Sequence, residues 1–251
     1  MGIKGKMRQD LYQELFEVEN HHWWHQHKQE VVFKLAKRFA NKGKVLDIGA
    51  GTGKILAEFK KIGWQVEGVD GEKEALTWSK KRGINLKLVD IENKRLPFKS
   101  NSFDLTLVLD VLEHLKNDKK VLAEIKRVTK KRGLIIISVP AYEKLFDYWD
   151  KIVGHQRRYS RQMLRQMIKS QNLQIEYLSY WFMYIFLPAV ITRKLKSLTS
   201  RKRGISDFQE AVLPWLTIPI LKVLSKIEQT MLSLVPLPFG LSLICVVRKN
   251  E

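Results

Sequence analysis

Two rhythms of apolar residues alternate along the chain. Short runs dense in valine, leucine and isoleucine, ending in VLD (45–47), WQVEGVD (64–70), NLKLVD (85–90) and FDLTLVLD (103–110), read as buried strands. Between them, apolar residues recur at helical spacing. KILAEFKKIG (54–63) places Ile55, Leu56, Phe59 and Ile62 on one face, and EVVFKLAKRFANKGK (30–44) does the same with Val32, Leu35, Ala36 and Phe39. Strand alternating with helix predicts the α/β class and a parallel sheet, whose ligands sit beyond the carboxyl ends of the strands.

The first strand runs into VLDIGAGTG (45–53), with glycine at 49, 51 and 53. Such a turn suits a main chain that a ligand approaches closely or that needs positive φ. Its spacing is not the G-x-G-x-x-G of dinucleotide enzymes. Asp47, Asp70, Asp90 and Asp110 each close a strand, so all four are expected along one edge. Singly, each reads as well as a helix cap or turn residue. Together they disfavour a pyrophosphate and suit a cationic ligand such as S-adenosylmethionine, which carries a sulfonium and an ammonium. Asp70, 21 residues after Gly49, is placed to accept from both ribose hydroxyls, and Asp90 with Ile91 to meet the adenine.

These motifs resemble those of class I S-adenosylmethionine-dependent methyltransferases of the broad small-molecule group. VLDIGAGTG matches the first motif, GVD the second, LVDIEN the third and FDLTLVLDVLEHL the fourth. The resemblance implies a doubly wound, mostly parallel, seven-stranded Rossmann-like sheet. GLIIISVPAY (133–142) would be the fifth strand, QIEYLSYWF (174–182) the sixth and SLICVVRK (242–249) an antiparallel last strand. It also implies cofactor contacts from Asp47, Gly49, Ala50, Gly51 and Gly53, from Asp70 with Gly71, from Asp90 with Ile91, and from Leu109 or Asp110 at the amino-acid end. No [DN]-P-P-[FY] follows the fourth strand, which counts against methylation of a planar base or amide nitrogen.

Methyl transfer from a sulfonium needs alignment and, for a hydroxyl acceptor, a base. His114 in DVLEHL and His155 in GHQRRYS, ahead of a helix that Ser160 caps, are the candidates. Asp110, Glu113 and His114 have the spacing D-x-x-E-H, which resembles a metal-binding strip of some O-methyltransferases and small-RNA 3′-terminal methyltransferases, with His155 as the later histidine. The alternative reading is no metal, with the histidine packing beside the cofactor. Arg157, Arg158 and Tyr159 could grip a phosphate or carboxylate of the substrate, or could pair with acids and carbonyls of the fold.

Ahead of the first strand, HHWWHQHK (21–28) concentrates histidine and tryptophan. His21 and His25 stand four apart, but no cysteine and no H-E-x-x-H accompanies them. In the resembled family such a segment folds over the cofactor, which implies a lid in which Trp23 or Trp24 excludes water and Lys28 meets the methionine carboxylate. Tyr12 is a further lid candidate, and core packing is the other reading of the rings.

Between the sixth and seventh strands, YWFMYIFLPAVI (180–191) is too short to span a bilayer. The polybasic RKLKSLTSRKRG (193–204) follows it. IPILKVLSKIEQTMLSLV (218–235) then aligns Ile220, Leu224, Ile227, Met231 and Leu234 opposite Lys222, Ser225, Lys226 and Gln229. The segment reads as a membrane-surface dock, a cap over the active site, or both.

Composition narrows these readings. With 251 residues, 45% of them hydrophobic, the chain fits one folded unit. That unit divides into a lid and helix (1–42), a cofactor core (43–181), a helical cap (182–240) and a last strand (241–251). Absence of an export leader and a single cysteine, Cys245, predict a cytoplasmic protein, peripheral to the inner membrane face if the dock is real. Its 45 basic against 26 acidic residues give +19, a field that attracts phosphates of any kind. The sequence therefore predicts a transferase using S-adenosylmethionine, with O-methylation of a lipid, glycan or lipid-linked glycan. Its rivals are an RNA methyltransferase and a catalytically idle, membrane-docked scaffold.

Overall fold

The computed structural model describes residues 9–198 and 214–250. In it the strand runs form one sheet of β1 (Lys44–Ile48), β2 (Gln65–Asp70), β3 (Leu86–Leu88), β4 (Phe103–Leu109), β5 (Thr129–Pro140), β6 (Leu173–Trp181) and β7 (Ser242–Lys249). Their spatial order is β3-β2-β1-β4-β5-β7-β6, and β7 alone runs antiparallel to its neighbours. This is the doubly wound sheet that the motifs predicted, antiparallel last strand included.

The continuous apolar runs have a direct physical cause. Side chains alternate across a strand, and both faces of this sheet are covered. On β5, Ile135, Ile137 and Val139 enter one core while Leu134 and Ile136 enter the other. On β7, Leu243, Cys245 and Val247 alternate in the same way with Ile244 and Val246. Cys245 is therefore a small core residue, and burial pushes its thiol pKa up.

Helices α1 (Gln9–Val18), α2 (Trp23–Phe39), α3 (Lys54–Lys61) and α4 (Lys73–Lys81) precede or separate the first three strands. Helix α5 (Asp118–Val128) lies between β4 and β5, and α6 (Tyr148–Ile152) and α7 (Arg161–Ser170) between β5 and β6. Ser160 accepts from the Met163 amide and caps α7, as expected. Helices α8 (Phe186–Leu198) and α9 (Pro214–Leu234) occupy the long connection from β6 to β7. Of the polybasic stretch at 193–204, only the Arg193 side chain lies within the described residues.

Helix α9 turns a polar side inward, a choice its sequence pattern left open. Ser225, Glu228 and Gln229 are buried, whereas Ile220, Val223, Ile227 and Leu234 are exposed. Helix α2 supplies the reason. His27 lies 2.6 Å from the Ser225 hydroxyl and 3.3 Å from a Glu228 oxygen, Lys34 donates to Gln229, and Arg38 donates to the Ser233 carbonyl. The Glu228 carboxylate also accepts from the backbone amides of Phe182 (2.5 Å) and Met183 (2.9 Å), where the chain leaves β6. This buried polar cluster joins three segments far apart in sequence, and its hydrogen bonds satisfy it except at His27 Nε2, which has only the ionic contact with Glu228.

Removing the Glu228 carboxylate would strand two amides and the imidazole away from water. Glu228→Ala is expected to cost about 3 kcal/mol of folding stability. Thr230→Ala on the exposed side of α9 should cost less than about 0.5 kcal/mol. Urea unfolding followed by tryptophan fluorescence measures both.

Candidate active site

The glycine turn after β1 is held by Val69, whose carbonyl accepts from the Gly49 and Ala50 amides. Gly49, Gly51 and Gly53 all have positive φ (70°, 55° and 72°), which disfavours other residues. They are not equivalent. A Cβ at Gly49 would meet the Val111 side chain at 2.6 Å, while one at Gly51 would meet nothing within 4 Å. The turn is thus packed at its start and open at Gly51, where a ligand can approach the main chain.

Three of the four aspartates gather at this edge. Asp70 accepts from the Gly51 and Glu72 amides, both at 2.9 Å, so it ties the end of β2 to the turn. Burial nevertheless raises its pKa against those bonds. Asp110, with φ 57°, takes Ser138 Oγ at 2.6 Å on one oxygen and Lys28 Nζ at 2.5 Å on the other. Burial opposes its charge, but Lys28 and Ser138 hold its pKa below the usual carboxylate range. Asp47 is 3% exposed, and its pKa is pushed up to about 7 by burial and by Asp70, against the pull of Lys28.

Asp90 stands apart. Strand β3 stops at Leu88, so Asp90 lies two residues beyond it in an exposed turn. Its oxygens accept there from the Glu92 and Asn93 amides and the Asn93 side chain, which holds its pKa low. The four expected aspartates therefore differ in setting, with Asp47 and Asp70 buried, Asp110 partly exposed and Asp90 in an exposed turn. Ile91 is half-buried against the core, Leu109 is buried, and Gly71 leads from β2 toward α4.

HHWWHQHK resolves into separate tasks. His22 caps α2 by accepting from the Trp24 amide. Trp24 stacks on Phe182 (centroids 3.5 Å apart, planes within 4°), and Trp23 meets Trp24 and Tyr184 edge-on. Burial and Lys28 push the His25 pKa down to about 3. His27 forms the buried contact with α9, and Lys28 reaches Asp110. Among the described residues, His21 and His25 gather no third metal-ligating group. Tyr12 is buried, and burial together with Asp70 raises its phenol pKa.

Beside Asp110 a short 3₁₀ turn (Leu112–His114) carries Glu113 and His114. The loop after α6 carries His155, fastened by its amide to the Asp150 carbonyl and by the Gln156 amide to the Glu113 carbonyl. His155 Nδ1 lies 2.7 Å from Asp150 Oδ1, its Nε2 lies 3.9 Å from Glu113 Oε1, and its ring stands edge-on to His114. Burial works against the Asp150 charge, but His155 and Arg158 together hold its pKa well below the usual range. Glu113 is fully buried, with no hydrogen-bond partner on either oxygen, and burial and Asp110 push its pKa well up. Burial and His155 lower the His114 pKa to about 4.

Glu113, His114 and His155 present ligand atoms within 4.8 Å of one another. Asp110, engaged by Lys28 and Ser138, is not in that group, which corrects the four-residue strip to three. Of the two readings of the triplet after His155, these side chains follow the one in which they pair within the fold. Arg158 is buried in a two-oxygen ion pair with Asp150, and Tyr159 is buried, donating to Asp118 and to the Leu112 carbonyl. Arg157 pairs with Asp118 and the Lys116 carbonyl, so acids and carbonyls of the fold take up all three. Asp150, which the sequence reading missed, is the residue that organises this corner. Its one signal was a position five residues before His155.

The raised Asp47 pKa has a consequence for the ligand-free protein. Between about pH 4 and pH 7 the unfolded chain ionises this carboxyl while the folded one keeps its proton, so folding stability falls across that window and levels off above it. Asp47→Asn removes the effect. Its stability advantage over wild type should grow from pH 4 to pH 7 to roughly 2–4 kcal/mol and then stay flat. Denaturant titrations at each pH measure it.

Residues 46–137 match a family profile described as a methyltransferase domain. An uncharacterized protein of Methanocaldococcus jannaschii is 40% identical over 117 residues, covering 45% of this chain and 54% of that protein. A ubiquinone/menaquinone biosynthesis C-methyltransferase of Psychromonas ingrahamii is 31% identical over 138 residues, covering 47% and 55%. The chain therefore spans about half the length of these curated relatives. Among solved structures, an S-adenosylmethionine-dependent methyltransferase from Archaeoglobus fulgidus superimposes with a TM-score of 0.55 at 17% identity, over 88% of this chain and 94% of that one. Residues 46–137 thus match a methyltransferase domain, and the 3-2-1-4-5-7-6 sheet is the fold of class I S-adenosylmethionine-dependent methyltransferases.

Proposed function

We propose that the chain transfers the methyl group of S-adenosylmethionine to a hydroxyl oxygen of a lipid, glycan or lipid-linked glycan presented at a membrane surface. The observation that carries this reading is the His155–Asp150 pair, set beside the carboxylate-lined edge at Asp47, Asp70 and Asp110. A sulfonium donor suits that edge because three partly or fully desolvated carboxylates lack enough cations of their own. Asp70 would take the ribose hydroxyls and the open face of Gly51 the methionine backbone. Asp47 and the Lys28–Asp110 pair would take the amino-acid end, and Ile91 with Asp90 the adenine.

The transfer itself needs the acceptor oxygen, the methyl carbon and the sulfur in line. As the new O–C bond forms, the S–C bond breaks and the electron pair stays on sulfur, leaving neutral S-adenosylhomocysteine. His155 Nε2 takes the hydroxyl proton. Asp150 fixes the tautomer by holding Nδ1, and Arg158 keeps Asp150 ionised, so the imidazolium that develops has its counter-charge already in place.

Two features favour an amphiphilic acceptor. Tyr142, Tyr180, Phe186 and Phe239 form a chain of ring contacts leading from the end of β5 to the surface at Phe239. One relative is also named as a ubiquinone/menaquinone biosynthesis C-methyltransferase. Among the described residues, no helix is long and apolar enough to cross a membrane.

A metal-assisted route is a second reading, favoured by the unpartnered Glu113 oxygens. Glu113, His114 and His155 would hold a divalent ion, which would lower the acceptor hydroxyl's pKa.

Asp70→Ala is expected to weaken S-adenosylmethionine binding by at least about tenfold in calorimetry, since a charged hydrogen-bond acceptor contributes about 1.5–3 kcal/mol. Near-wild-type affinity removes the ribose assignment. Lipid, glycan and RNA extracts incubated with methyl-labelled donor and read by mass spectrometry should carry label in a lipid or glycan fraction. His155→Ala should lose at least about a hundredfold in turnover with donor affinity retained. Label confined to RNA overturns the substrate class, and activity abolished by chelation and restored by a divalent ion selects the metal route.

A further inference from the structure

Eight of the twelve exposed large hydrophobic side chains among the described residues lie between positions 187 and 239. Helix α9 holds the densest share. Ile220, Val223, Ile227 and Leu234 form a stripe along its outer side, with Leu234 75% exposed, and Val235 continues it. Lys222, Lys226, Thr230 and Ser233 flank the stripe on one side and are exposed. Its only acidic residue, Glu228, is buried. The outer surface of α9 is therefore apolar and cationic, with no carboxylate.

The stripe is not free to turn inward. His27, Lys34 and Arg38 of α2, at positions i, i+7 and i+11, bind Ser225, Glu228, Gln229 and the Ser233 carbonyl on the opposite side of α9. Tyr177 of β6 adds a bond to the Leu232 carbonyl. Rotating the apolar stripe inward would strand the Glu228 cluster in solvent and leave the Phe182 and Met183 amides without their acceptor, a cost of several kcal/mol by general rule. The helix is held with Ser225, Glu228, Gln229 and Leu232 inward and the apolar stripe outward, unlike an ordinary surface helix, whose exposed side is polar.

We infer that the outer face of α9 docks on an anionic lipid bilayer, with Ile220, Val223, Ile227 and Leu234 entering the interface and Lys222 and Lys226 reaching the head-group phosphates. Charge selects this occupant. Two copies packed stripe to stripe would bring lysines together with no acid to answer them, whereas an anionic surface supplies the missing counter-charge. The inference deepens the proposed substrate class by naming the surface through which an amphiphilic acceptor reaches the enzyme. It rests on that class for its purpose, though not for its test. Helix α2 links the dock to chemistry, since His27 holds α9 and the next residue, Lys28, holds Asp110.

The test is vesicle flotation of the full chain, scored without turnover. Phosphatidylcholine vesicles containing phosphatidylglycerol should carry the protein up the gradient, and pure phosphatidylcholine vesicles should carry far less. Lys222→Gln combined with Lys226→Gln should lower the partition coefficient about thirtyfold, two near-surface charges being lost. Val223→Glu combined with Ile227→Glu should abolish flotation while thermal stability and calorimetric donor affinity stay at wild-type values. No flotation by the wild-type chain overturns the inference, as does flotation that these variants leave unchanged. Concentration-dependent self-association in ultracentrifugation that the same variants abolish also overturns it, by making the face a contact between copies. Flotation without methyl transfer to lipid or glycan would uphold the dock and sink the substrate class, so the two failures are distinguishable.

Discussion

Carboxylates held out of water at the ends of parallel strands are the constraint around which this protein is arranged. Asp47, Asp70 and Asp110 converge because a parallel sheet brings its strand ends to one edge, and each meets the cost of burial differently. Asp70 uses backbone amides of the glycine turn and of Glu72. Asp110 uses Ser138 and a lysine from another helix. Asp47 retains a proton up to about pH 7. The edge is thus short of positive charge, which is the electrostatic basis for a cationic donor.

Lys28 makes the N-terminal helices part of this solution. It reaches Asp110 because α2 lies across the edge, and α2 lies there because both its ends are anchored. Trp24 stacks on Phe182 near one end, while His27, Lys34 and Arg38 grip α9 along its length. Charge at the strand ends, the position of α2 and the orientation of α9 form one mechanical chain. Its far end is the apolar stripe of α9, exposed because the polar side of that helix is occupied.

The corner around His155 is built on the same logic with opposite sign. Burying Asp150 is tolerable because Arg158 and His155 satisfy it, and the imidazole is thereby fixed in position. Glu113 is left with no hydrogen-bond partner and a strongly raised pKa, facing the same small space as His114 and His155. Polar groups buried without partners are costly, so such a residue points to a site organised for something besides folding.

Much of the fold was legible in the sequence because period-2 and period-3.6 hydrophobic patterns report local geometry. The strands, the glycine turn and the clustering of Asp47, Asp70 and Asp110 follow from that alone. What depended on distant partners was not legible. HQRRY offered three substrate-gripping side chains, yet Arg158 and Tyr159 turned inward to Asp150 and Asp118, and the organising Asp150 carried no motif. The helical pattern of 218–235 identified a two-sided helix but not which side faces in. That choice fell to His27 and the Phe182 and Met183 amides, nearly two hundred and some forty residues away in the chain. Periodicity is a property of one segment, whereas the direction a polar face takes is set by whichever partner lies opposite it, and only the tertiary structure brings that partner near.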